Sequence, residues 1–125
     1  MKAYSKRSNN LQGTVTCPGD KSISQRSVII GSLLEKDIQI SGFLLAEDPL
    51  STIGALRNLG HEIEIDDDIV SVKNSRKNIS DKKVSCNLGN SGTGFRLISG
   101  LIAGQEIDAE LTGDDSLSKR PMNRI

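Results

Sequence analysis

The chain has few of the residues that most often carry recognition or chemistry by themselves. It contains no tryptophan, one tyrosine and two phenylalanines among 125 residues, which excludes a stacking platform for single-stranded nucleic acid. One histidine (His61) and two cysteines (Cys17 and Cys86) give no Cys-x-x-Cys or Cys/His spacing, so no metal site is expected. Net charge is absent as well. Sixteen basic residues balance sixteen acidic ones, and no global field favours nucleic acid or membrane. No apolar run is long enough to span a bilayer, and Met1 to Arg7 has no apolar run behind it to make a signal peptide, so a cytoplasmic protein is expected. The two cysteines then read as buried free thiols at strand ends.

What the chain does contain is a repeat. Gly19-Asp20-Lys21-Ser22-Ile23-Ser24-Gln25-Arg26 opens one copy, and Gly89-Asn90-Ser91-Gly92-Thr93-Gly94-Phe95-Arg96 opens the other. In each, a turn of small residues leads into an apolar stretch, Val28 to Leu34 or Leu97 to Ala103. A short strand-like segment follows, ending in Ser41-Gly42 or Thr112-Gly113, and then a proline, Pro49 or Pro121, opens a further helix. A repeat of this length is a supersecondary unit used more than once. The second copy stops at Ile125 while the first still has residues to run, so the chain is expected to be part of a longer protein.

Local patterning assigns α/β structure to each unit. Gln12 to Thr16 reads as a strand stopped at Pro18-Gly19. Ser22 to Leu34 reads as a helix with Asp20 able to cap its first turn. Ile38 to Ile40 is a short strand. Pro49 to Leu59 is a second helix, with Asp48 as N-cap, Pro49 at the first helical position and Gly60 as its stop. His61 to Ile65 and Ile69 to Val72 alternate across Asp66-Asp67-Asp68 as a hairpin. The first unit, about 11–73, is therefore β-α-β-α-β-β. Lys73 to Lys83 is a polar loop, and a second, incomplete unit covers about 84–125.

Several sharper readings fail on their own chemistry. Three acids at a hairpin tip, Asp66 to Asp68, have no returning ligands for a metal and read as a solvated turn. His61 starts a strand after a helix-stopping glycine and has no sequence partner for catalysis. Asn78-Ile79-Ser80 matches a glycosylation sequon, which has no meaning in a cytosolic chain. Lys73, Arg76, Lys77, Lys82 and Lys83 form a basic stretch, interrupted by Asp81 and without aromatics, that reads as a solvated loop. Gly19-Asp20-Lys21-Ser22 lacks the other glycines of a phosphate-binding P-loop, and Gly92-x-Gly94 has Leu97 where a dinucleotide fingerprint needs glycine.

Anion chemistry remains. Both small-residue turns lie where a strand feeds a helix, and free backbone N–H groups there favour phosphates and carboxylates. The first turn adds Lys21 and Ser22, with Arg26 one helical turn further on the same face. In the second, Gly92 and Gly94 let backbone approach a ligand closely, with Thr93 between them. Lys119 and Arg120 add positive charge. Packed side by side, the two turns can share one pocket.

Three segments together carry a resemblance: Pro18 to Arg26, Leu88 to Arg96, and Leu111-Thr112-Gly113-Asp114 through Lys119-Arg120-Pro121-Met122. In order and spacing, from about Leu11 to Ile125, they resemble the amino-terminal part of the 5-enolpyruvylshikimate-3-phosphate synthase family, whose members are more than three times this length. The resemblance implies the enolpyruvyl transferase fold, an inside-out α/β barrel of repeated β-α-β-α-β-β units around inward helices. It implies transfer of the enolpyruvyl group of phosphoenolpyruvate to the 5-hydroxyl of shikimate 3-phosphate, in aromatic amino-acid biosynthesis. No metal or organic cofactor, no nucleic acid and no membrane are implied, and the full-length protein would be a monomer.

Position by position, Lys21, Ser22 and Arg26 correspond to shikimate 3-phosphate contacts, with Lys21 the catalytic candidate that also reaches phosphoenolpyruvate. Gly92 and Arg120 correspond to phosphoenolpyruvate contacts, with Asn90 and Thr93 lining the same loop. The sequence departs from the family at Gln25, where many relatives have histidine or asparagine, and at Ser91 and Gly94, where alanine is commoner. No side chain here is a convincing general acid or base, so the chain alone is not expected to turn over. Two alternatives stand beside this reading. A UDP-N-acetylglucosamine enolpyruvyl transferase would carry asparagine after the lysine of the first turn and a cysteine-bearing loop near the final arginine. Here Ser22 follows Lys21, and Asp114 to Arg120 has no cysteine. The other alternative is a non-catalytic remnant that binds anions or does nothing.

Overall fold

The computed structural model describes residues 2–76, 83–105, 107–123 and 125. From residue 2 to 20 the chain has no regular structure. It then forms α1 (Lys21–Ser32), β1 (Ile38–Ile40), α2 (Glu47–Asn58), β2 (His61–Asp66), β3 (Ile69–Arg76), β4 (Val84–Asn87), α3 (Gly92–Ala103), β5 (Ala109–Thr112) and the short α4 (Asp115–Ser118).

The first helix starts where its cap chemistry sets it. The Asp20 carboxylate accepts from the Ile23 amide at 2.8 Å, and the helix runs from Lys21 rather than Ser22. It ends at Ser32, two residues short of the expected Leu34, and Leu33 serves as its C-cap. Its inner face buries Ser24, Gln25, Val28, Ile29 and Gly31. At Gly31 an added Cβ would run into the Ile38 side chain, so β1 packs directly on the helix backbone.

The second helix departs from expectation at its start. It begins at Glu47 with Ala46 as N-cap and no side-chain cap, which puts Asp48 inside the first turn and Pro49 at the third helical position. Both acids lie in that first turn, where they complement the helix dipole, and the missing amide of Pro49 is still among those without a helical partner. At the other end Arg57 donates to the Ile63 carbonyl through Nε (3.0 Å) and Nη2 (2.6 Å), tying α2 to β2. Gly60, at φ +87°, makes the reversal into β2.

The hairpin forms as the alternation predicts, with Asp67 at φ 46° in its tip. β3 lies between β1 and β2 in an antiparallel sheet and extends to Arg76, so the polar run from Lys73 begins as strand, not loop. The sequon and the remainder of the basic stretch up to Lys82 lie outside the described residues. β4 and β5 pair in parallel, Val84 opposite Ala109 and Asn87 opposite Thr112, with α3 as the crossover that parallel pairing requires.

The expected strand Gln12 to Thr16 is absent. Only Val15 in that segment is apolar, and it stays 85% exposed, so the segment has no face to bury and no paired strand among the described residues. Cys17, expected buried at the end of that strand, is exposed for the same reason, whereas Cys86 is buried in β4. No described residue of the segment at Pro121 is helical; the helix in this region is α4, capped by Asp114.

The core joins both sheets through the helices. Val28, Ile53, Leu56, Leu59, Val70, Val72, Leu88, Ile98 and Leu117 are all essentially inaccessible, and α2 sits between the others, in contact with α1, α3, β2 and β4. No helix among the described residues is long and apolar enough to cross a membrane.

Candidate functional site

The starts of three helices meet at one place, and a single buried side chain marks it. Gln25, 0% exposed, reaches from the second turn of α1 with Nε2 3.2 Å from the Asp48 carbonyl oxygen, 3.0 Å from Thr52 Oγ1 and 2.7 Å from Ser91 Oγ. Asp48 and Thr52 are in the opening turns of α2, and Ser91 is the N-cap of α3. The amino ends of α1, α2 and α3 therefore meet around this side chain. Each carries about half a positive charge from its aligned peptides.

Polar side chains surround this junction. The Lys21 ammonium donates to Asp48 Oδ2 at 2.8 Å, an ion pair across the α1–α2 seam with both groups partly exposed. Ser22 is half-buried and Arg26 exposed, one turn apart on α1; neither side chain has a hydrogen bond or ion pair among the described residues. Among the described residues they are unpaired donors beside an ion pair.

The second turn is held by a chain of polar contacts. Gly89 takes φ +53°, its amide donating to Asn87 Oδ1 at 2.9 Å. Asn90 donates through Nδ2 to Asp114 Oδ2 at 2.7 Å and accepts at Oδ1 from Arg120 Nη2. A carboxylate on one side and a guanidinium on the other fix which way its amide points. The Asn90 amide and, after it, the Leu117 amide hold the Asp114 carboxyl below the ordinary carboxylate range, with a smaller contribution from the Arg120 charge.

Gly92 is buried under two guanidinium groups. A Cβ there would lie 2.7 Å from Arg120 Nη1 and 3.1 Å from Arg96 Nη1. Arg96 donates to the Gly92 carbonyl at 3.0 Å and the Pro121 carbonyl at 3.2 Å, so it straps the Arg120–Pro121 segment onto the first turn of α3. Thr93 is half-buried beside it, its hydroxyl without a hydrogen bond among the described residues.

The structure thus brings the two sequence-predicted turns together. Lys21, Ser22 and Arg26 project from α1, and Asn90, Gly92, Thr93 and Arg120 group around the start of α3, with Gln25 and Ser91 as the contact between them. Sequence reasoning missed Asp48, the partner of Lys21, because it was read as a cap. Arg96 also belongs to the site. It occupies the place in the second copy that Arg26 occupies in the first, a signal present in the repeat. Three surface clefts lie elsewhere. One of about 370 Å³ is lined by Phe95, Leu111, Leu117 and Met122, another of about 270 Å³ includes His61 and Lys73, and a third of about 470 Å³ borders Cys17 and Phe43. The candidate site lies along the seam where the starts of α1, α2 and α3 meet. Among the described residues no cluster of histidine, cysteine and carboxylate suits a metal ion.

Residues 5–125 match the family model of EPSP synthase (3-phosphoshikimate 1-carboxyvinyltransferase). A 3-phosphoshikimate 1-carboxyvinyltransferase from Ruthia magnifica is 50% identical over 121 residues, which are 96% of this chain and 28% of that protein. The enzyme of that name from Streptococcus pyogenes serotype M3 is 48% identical over 128 aligned residues, all of this chain and 30% of the relative. Among solved structures, EPSP synthase from Acinetobacter baumannii superposes with a TM-score of 0.77 at 41% identity, over 90% of this chain and 26% of that one. The chain spans less than a third of the length of these relatives.

Proposed function

The chain belongs to the EPSP synthase family, and from that premise we propose that it contributes part of the active site of an enzyme joining phosphoenolpyruvate to shikimate 3-phosphate. In that reaction the 5-hydroxyl of shikimate 3-phosphate gives up its proton and its oxygen bonds to C2 of phosphoenolpyruvate, while C3 takes up a proton. The tetrahedral adduct then loses a proton from C3 and the phosphate leaves, so the double bond returns. No metal or organic cofactor is needed. Both substrates are polyanions, and the burden on the protein is to hold them together and stabilise charge as it moves.

The observation that carries this reading is the junction of helix starts at Gln25, which sets Lys21 on one side and Gly92 on the other. Ser22 and Arg26, unpaired among the described residues, are donors suited to shikimate 3-phosphate. Lys21, the catalytic candidate, exchanges its Asp48 carboxylate for substrate anion and serves both ligands. Phosphoenolpyruvate lies against the Gly92 turn, where the absent side chain lets the Arg120 guanidinium close in, with Asn90 and Thr93 beside it. Charge-assisted hydrogen bonds contribute roughly 1.5–3 kcal/mol each, enough for several of them to hold a small polyanion on an open surface.

The finer architecture fits the same reading. The turn glycine of the first copy packs on Gly42, and that of the second on the Gly113–Asp114 segment, whose Asp114 amide donates to the Gly89 carbonyl at 2.9 Å. We take residues 11–73 and 84–125 as successive units of an inside-out α/β barrel, in a cytoplasmic protein that acts as a monomer. No side chain here is assigned as general acid or base, so the 125-residue chain by itself binds anions without turnover.

The experiment is phosphate release by the full encoded protein with phosphoenolpyruvate and shikimate 3-phosphate, each also omitted in turn. Release that needs both substrates supports the reading. Release with UDP-N-acetylglucosamine in place of shikimate 3-phosphate, or none at all, overturns it, as does turnover by the 125-residue chain for the last assignment.

A further inference from the structure

Gln25 makes a demand on its surroundings that a mere core residue would not. Three oxygen atoms from two other helix starts lie within hydrogen-bond distance of its one amide nitrogen, and its own Oε1 is buried with no hydrogen bond among the described residues. Thr52 donates its hydroxyl to the Asp48 carbonyl at 3.1 Å and so is free to accept from Gln25. Ser91 Oγ receives both Gln25 and the Gly94 amide, the latter at 3.1 Å. The nitrogen thus joins α1 to the cap that starts α3. It does so in a space that residue 94 leaves open. A Cβ on Gly94 would lie 2.7 Å from Ser91 Oγ, 2.8 Å from Thr52 Oγ1 and 3.1 Å from Gln25 Nε2, crowding three side chains of the network at once.

We propose that Gln25 is a positioning residue: its amide fixes the Asn90–Thr93 loop against the Lys21–Ser22–Arg26 face, and it can do so only because residue 94 is glycine. Side-chain length at 25 and volume at 94 are therefore one coupled choice. The claim rests on the proposed function only for its consequence in catalysis. Positioning of the loop is a property of the protein without substrate.

The test uses the full encoded protein in five forms: wild type, Gln25→Met, Gln25→Ala, Gly94→Ala and the double variant Gln25→Ala/Gly94→Ala. Methionine keeps the volume and removes the hydrogen bonds. Amide hydrogen exchange at Gly94 and Phe95, which both donate to Ser91, should speed up about tenfold in Gln25→Met, measured with no ligand, while the melting temperature stays close to wild type. Gly94→Ala and Gln25→Ala should each lower the melting temperature, and the double variant should lose less than the sum of the two, a non-additivity expected of residues in contact. With substrates, Gln25→Met should raise both KM values about tenfold and change kcat less than threefold, since it loosens binding groups and not the reacting atoms. Unchanged exchange in Gln25→Met, or additive melting effects at 25 and 94, would overturn the proposal. If wild type shows no turnover, the functional reading fails, while exchange and melting still decide the role of Gln25.

Discussion

Substituting alanine at Gly92 should separate folding from ligand affinity. Position 92 begins α3, and replacing glycine by alanine in a helix gains up to about 1 kcal/mol. The added methyl meets only side-chain ends: Arg120 Nη1 at 2.7 Å and Arg96 Nη1 at 3.1 Å, the first about 0.7 Å inside the 3.4 Å at which ordinary contact begins. Arg120 is exposed and can swing away, so the melting temperature of Gly92→Ala should equal or exceed that of wild type. The swing costs function. Arg120 is aligned by its bond to Asn90, and a displaced guanidinium loses part of a charge-assisted contact worth about 1.5–3 kcal/mol. A loss of one to two kcal/mol corresponds to a roughly 5–30-fold higher KM for phosphoenolpyruvate. The KM for shikimate 3-phosphate, bound from α1, should move much less. Steady-state kinetics of the full encoded protein with each substrate varied in turn provides the assay. An unchanged KM for phosphoenolpyruvate would refute the placement of that ligand against Gly92, and a clear fall in melting temperature would refute the claim that the methyl meets only movable atoms.

The same substitution in the first turn should do the reverse. In Gly19→Ala the methyl collides with the Gly42 carbonyl and crowds the Leu44 amide, both backbone, so a urea melt should show a loss of about 1–3 kcal/mol or more. At Asp114 the folded-state pKa is depressed, so its contribution to stability is present above the unfolded-state value and is lost as pH falls through the folded-state value. The stability gap between wild type and Asp114→Asn should accordingly be steady near neutral pH and close below about pH 4; a constant gap down to pH 2 would contradict this. The two thiols should differ in reactivity. Cys17 is exposed, while Cys86 is buried, its Sγ 3.7 Å from the Ala55 carbonyl oxygen and its pKa pushed up by desolvation. A thiol reagent in excess should therefore modify one cysteine in the native protein and both only after unfolding, and rapid modification of both would contradict that burial.

The pattern of success along the chain follows from what local sequence encodes. Helices with a paired cap and an apolar face, such as α1 behind Asp20, were legible because both signals lie within a few residues. The hairpin around Asp67 was legible for the same reason. The segment Gln12 to Thr16 misled, because strand propensity in five residues says nothing about whether a neighbouring strand is there to pair. Asp48 misled in a subtler way: Asp-Pro is a good helix opening by local rules, yet the helix starts two residues earlier, at Glu47, and the Asp48 carboxylate pairs with Lys21, 27 positions before it. At the site, the glycines and cations were visible as two similar turns. Their joining through Gln25 was not, because a buried glutamine in a helix gives no sign of the three acceptors that surround it. The role of Gly94 as the hole into which that amide fits is equally a matter of tertiary neighbours.

The two sheets are separate, and the described contacts between them run through the helices, with α2 in the middle and Asn58 reaching from its last turn to the Ser85 carbonyl at 2.9 Å. The anion seam lies along this same division, Lys21 on the side of the three-stranded sheet and Gly92 on the side of the parallel pair. A ligand that touches both therefore acts as a rivet between two halves of the fold. By linkage it lends the whole assembly a stability of RT ln(1 + [L]/Kd), about 2.7 kcal/mol at a hundredfold excess over Kd. If the proposed function holds, metabolite supply thereby bears on how long the protein persists, since chains short of substrate would be the ones whose seam opens first.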